Sequence, residues 1–104
     1  MRGAILFRVL VDGPLVRAGA IVEGIQPQHR WYAYVDAGGH CAIGVRILDE
    51  ADIPEGAPRT VHPRGGWVGA AIGVDELEPI TAPARAMWEI AVEGRDEDFF
   101  EVRP

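Results

Sequence analysis

The sequence predicts a mainly β fold, a small single-domain β-barrel or sandwich with one short helical turn, and three observations carry that expectation. Turn signals rich in Gly, Pro and Asp recur along the chain, at residues 12–14, 24–27, 37–39, 52–58, 63–66, 73–76 and 94. The runs between them have strand length and are rich in β-branched and aromatic residues. No stretch carries the amphipathic crossover helices that a parallel α/β sheet requires. The chain of 104 residues fits one domain, and with 48% apolar residues it carries enough hydrophobic material for one core.

The elements follow in order. Residues 4–11 are β-prone and apolar on both faces, so the segment 1–11 reads either as an integral first strand or as a docking strand or arm. Residues 19–25 carry Ile21 and Val22, and residues 30–36 are aromatic and β-branched. The clearest alternation lies in residues 40–48, where Cys41, Ile43, Val45 and Ile47 share one face and Ala42, Gly44 and Arg46 the other. Residues 66–74 alternate similarly, which puts Val68, Ala70 and Ile72 on one face and Trp67, Gly69, Ala71 and Gly73 opposite. In residues 79–94, Thr81 and Pro83 can open a helix through Ala84, Arg85, Ala86 and Met87, whereas Trp88, Ile90 and Val92 alternate as in a strand. The expectation there is a short helical turn leading into a strand. The tail, residues 95–104, is acidic apart from Phe99, Phe100 and Val102, and reads as an edge strand or a docking arm.

Composition removes several classes of function. The chain has no Ser, Lys or Asn and a single cysteine, Cys41. Its two threonines, Thr60 and Thr81, sit in proline-flanked stretches without a base beside them. Serine hydrolysis, Schiff-base chemistry and a Walker-type phosphate loop each need a residue that is absent, so no enzymatic activity is expected. No metal or cofactor is expected either. His40 and Cys41, adjacent on a strand, point to opposite faces, and no ligand motif surrounds them. His29 and His62 read as loop histidines, and the carboxylate groups at 49–52, 75–78 and 93–101 read as solvated acidic turns.

The net charge is −6, and the ten arginines are scattered singly from Arg2 to Arg103. Nucleic acid is therefore not an expected partner, because phosphate neutralisation needs clustered positive charge. Arg8 interrupts the apolar run near the start and Asp12-Gly13-Pro14 ends it, so neither a signal peptide nor a membrane span is expected. What remains is the aromatic set, since indoles and phenyl rings are common anchors of protein interfaces. The candidate interface residues are Trp31, Trp67, Phe99 and Phe100, together with Ile5, Phe7 and Val9 of the first segment.

Five blocks, taken in order, carry a family resemblance: RAGAIVEG at 17–24, RWYAYVDAGG at 30–39, AIGVRILDEAD at 42–52, PRGGWVGAAIGVDELEP at 63–79 and ARAMWEIAVEG at 84–94. Their order and spacing resemble the head decoration proteins of tailed bacteriophages, the lambda D type that cements capsids. In that family the last block is a small-residue helical turn followed by a closing strand. The resemblance departs at the start, where the family has a polar arm and this chain has the apolar residues 1–11. It implies a non-enzymatic protein on the outer surface of the virion head, self-associated as a homotrimer and bound to the major capsid protein. The alternative reading of the same residues is a small β-barrel adaptor or inhibitor module that binds some other protein.

Overall fold

The computed structural model describes residues 3–25, 33–35 and 41–93. Six strands form one antiparallel sheet: β1 (Leu6–Val9), β2 (Ile21–Gly24), β3 (Ala33–Val35), β4 (Cys41–Ile47), β5 (Trp67–Gly73) and β6 (Leu77–Pro79). A single helix, α1 (Ala82–Glu93), follows, and 3₁₀ turns sit at Glu50–Asp52 and Val74–Glu76. The mainly β expectation is met, and no helix among the described residues is long and apolar enough to cross a membrane.

The long strand β4 organises the sheet. Ile47 is registered against Val22 of β2 and Trp67 of β5, and Ile43 against Ala33 of β3 and Ile72 of β5. A strand has only two edges, so β5 occupies one edge of β4 while β2 and β3 follow each other along the other. β2 then pairs with β1, and β1 with β6. In a flat sheet, the path β5-β4-β2-β1-β6 would hold its outer strands about 19 Å apart. The link from Gly73 to Leu77 spans at most about 14 Å. The sheet must therefore curl, bringing β5 round towards β6, although no hydrogen-bonded ladder joins the two among the described residues.

The concave side of this curl holds the core. Phe7, Val9, Val22, Ile43, Val45, Ile47 and Leu77 are each at most 2% exposed, and no polar side chain is buried among the described residues. Alternation along β4 is as expected for Ile43, Val45 and Ile47. Along β5 it is not. Trp67 faces inward opposite Ile47 and Ile72 faces inward opposite Ile43, an odd separation that strict alternation forbids. A β-bulge resolves this: Gly69 and Ala70 of β5 lie between the pairs that flank Val45 of β4, and the extra residue inverts the facing pattern. Gly69 is required at this point, because a Cβ there would lie 2.7 Å from the Val45 carbonyl oxygen.

The expected turn-then-strand at 79–94 is instead one continuous helix of 12 residues. Ala84, Met87 and Ala91 are buried at helical spacing, while Val92, which the strand reading would have paired with Trp88, is exposed. Alanine-rich composition favours the helix, and Thr81 caps it, its Oγ1 accepting from Ala84 N at 3.4 Å. The helix packs against β1, β4 and β6, and the Trp88 indole N–H donates to the Val74 carbonyl at 2.9 Å. Gly24 lies beneath it, where a Cβ would come within 2.9 Å of both Ile5 Cγ2 and Phe7 Cε2.

Candidate protein-docking site

The open side of the curled sheet is a seam. On one wall stand Val9 at the end of β1 and the residues that follow it, Val11, Gly13, Pro14, Leu15 and Val16. The other wall is Ala70, Ala71 and Ile72 of β5, and Glu76 closes one end. Between them runs an apolar groove of about 120 Å³. Leu10 and Val11 at its margin are 48% and 45% exposed.

The wall after β1 is fixed by short-range hydrogen bonds that follow from its turn residues. Asp12 Oδ1 accepts from Ala18 N at 2.8 Å, Gly13 N donates to Val16 O at 2.9 Å, and Arg17 N donates to Asp52 O at 2.8 Å. Leu10 N donates to Glu76 O at 2.9 Å, tying this wall to the link between β5 and β6. The opposite wall is a strand edge. Residues 60–62 cover its first part, with Val68 N donating to Thr60 O at 2.7 Å and Val61 bridging Trp67. From residue 69 to 73 the outer edge of β5 has no backbone partner among the described residues.

Charge around the seam is mainly negative. Glu76 lines the groove, and Asp12 and Asp75, next in sequence to lining residues, are exposed. Arg17 faces a different task, since its charge acts on Asp52, opposing the burial and the nearby Asp49 that together raise that carboxyl above its ordinary value. Arg8 is paired with Glu78 at 2.9 Å.

The residues expected at an interface are distributed differently from the expectation. Phe7 and Val9 are buried in the core on the concave face of the sheet, and β1 is integral because it is paired on both edges, so Phe7 offers no outer surface and Val9 only a small part of the groove lining. Ile5 is half-buried against the same core, and so is Trp67. The structure brings Val9 to the floor of the seam but places Trp67 at the far end of β5, beside Val61. Trp31, Phe99 and Phe100 lie outside the described residues.

His62 has a structural contact. Its Nδ1 accepts from Arg64 N at 3.1 Å and helps shape the turn before β5. Arg46 holds the same turn from outside the sheet, donating from Nη1 to Gly65 O at 2.7 Å and from Nε to Glu23 Oε1 at 2.8 Å. Of the seam residues, Val11 lies within the segment 1–11 read as a possible docking strand, while Leu15 and Ala70 were not among the candidate interface residues. The one signal for the seam was that apolar residues continue past the end of β1, through Leu10 and Val11, into a turn. No family model matches the chain, and no curated protein or solved structure is significantly similar to it.

Proposed function

We propose that this chain is a non-enzymatic binding domain that decorates the outer surface of a tailed-phage head and contacts the major capsid protein. The observation that carries the binding role is the seam: a preformed apolar groove beside a strand edge that has no backbone partner among the described residues. The capsid as partner rests on the ordered sequence blocks, which fall on β2, β3, β4, β5 with β6, and α1. Mechanically, a compact domain touching several coat subunits resists their separation through summed modest contacts.

One observation favours the broader reading of a protein-binding adaptor or inhibitor. The family pattern ends in a closing strand, whereas this chain continues as α1 through residue 93. The two readings separate in one experiment, co-expression with the coat protein of the same genome followed by sedimentation of the shells. The decoration reading expects the chain in the shell fraction, in multiples of three per local symmetry axis, and shells that come apart at a higher temperature. Shells that sediment without it overturn the capsid role.

A further inference from the structure

We propose that the seam receives an extended strand of the protein partner. That strand pairs with β5 over residues 69–73, seats one large apolar side chain in the groove and places a basic residue beside Glu76. The inference rests on the protein-binding half of the reading above, and is independent of whether the partner is a capsid.

The backbone offers the first reason, because residues 69–73 of β5 have no outer-edge partner among the described residues. Natural sheets protect free edges with charge, proline or a covering segment. The segment Trp67–Gly73 contains neither a charged residue nor a proline, and among the described residues only its first part is covered, by residues 60–62. Strand addition supplies the missing partner, and main-chain hydrogen bonds then provide affinity while side-chain pockets provide selectivity. The pocket is present. A volume of about 120 Å³, walled by Val11, Leu15, Ala70 and Ile72, is somewhat below the size of an apolar cavity that accepts a benzene ring, which suits one Leu or Ile side chain. The wall after β1 is already fixed by its hydrogen bonds, so little ordering opposes binding.

Charge and side-chain size exclude a second copy as the occupant. Two β5 edges paired with each other would present only Gly69, Ala70, Ala71 and Gly73 beside Ile72, leaving each groove unfilled. Their acidic margins would also repel. A strand with a basic residue next to a large apolar one fits both the volume and the charge.

The test is selection from a displayed library of random peptides of about six residues, the usual strand length. The enriched peptides are then measured by binding and by amide hydrogen exchange on the full chain. The expected result is enrichment of peptides with a central Leu or Ile and a Lys or Arg, together with new exchange protection within residues 69–73. Val11→Lys, at a position 45% exposed in the free protein, is expected to weaken their binding by about tenfold or more without changing the melting temperature. Glu76→Lys should weaken the same peptides, and Val61→Lys, at the other end of β5, should not. Failure to enrich, protection elsewhere, or binding indifferent to Val11→Lys overturns the proposal. Selection of strands by a chain that ignores coat shells overturns the capsid role alone, and shell binding indifferent to Val11→Lys overturns the seam alone.

Discussion

The Thr81 side chain ties the start of the chain to the start of α1. Its hydroxyl donates to Ala4 O at 2.6 Å and accepts from Leu6 N at 3.2 Å, besides capping α1. Thr81→Val keeps the shape and removes all three bonds, so a loss of about 1–2 kcal/mol is expected in urea unfolding, with Thr81→Ser restoring most of it. Gly66 is a second single-residue constraint: its φ is +69° and a Cβ would lie 2.3 Å from Ile47 O. Gly66→Ala should therefore cost about 1–3 kcal/mol in the same measurement. Asp52 carries a pH signature. Burial, reinforced by Asp49, raises its carboxyl above the ordinary 3.8, so the protonated form suits the fold better. Its stabilising contribution is full below that ordinary value and is lost as pH rises through the raised one. Asp52→Asn is expected to melt above the parent at neutral pH, and the gap should close in acid; a gap that widens in acid would reverse the assignment.

At the scale of elements, the bulge in β5 determines which side chains reach the core. Deleting Ala70 removes the extra residue and leaves four steps between Trp67 and Ile72, matching the four between Ile47 and Ile43, so strict alternation then keeps both facing inward without a bulge. The expected outcome is a folded variant in which the Trp67 indole keeps its buried chemical shift; a solvent-exposed shift would show that the bulge itself is needed to turn Trp67 inward. The bulge also explains what was legible in the sequence and what was not. β4 was readable because Ile43, Val45 and Ile47 alternate without interruption. β5 was readable as a strand, but its facing was not, because the residues that allow a bulge, Gly69 and Ala70, also fit a regular small-residue strand. The helix α1 was misread in its second half because Trp88, Ile90 and Val92 happen to alternate. The deciding contacts, Met87 and Ala91 in the core and the Trp88 N–H on Val74, are long-range and invisible to local pattern.

For the whole molecule, the first strand has the largest consequence. Removing residues 1–11 takes out β1, which lies between β2 and β6 and contributes Phe7 and Val9 to the core. Such a truncation should yield an unfolded or aggregated chain by circular dichroism and light scattering, whereas a soluble folded product would make the segment a dispensable arm. The candidate site was less legible than the fold. Aromatic content directed attention to Trp67, while the seam is made of small and aliphatic residues from two distant parts of the chain, 9–16 and 70–76. Only the curl of the sheet brings them together.

The curl also orders events in time. Phe7 pairs with Pro79, and Arg8 meets Glu78, 70 positions later in the sequence, so β1 cannot complete its pairing until residues 77–79 are available. Contacts this distant in sequence close slowly, after local pairs such as β1 with β2 and β4 with β5. During synthesis the half-built sheet would emerge with one edge of β1 bare, and the arrival of β6, Thr81 and α1 would seal it. Interactions that form last mostly govern the rate of opening, so the Arg8–Glu78 and Thr81 contacts act as the latch on the lifetime of the folded state more than on the speed of reaching it.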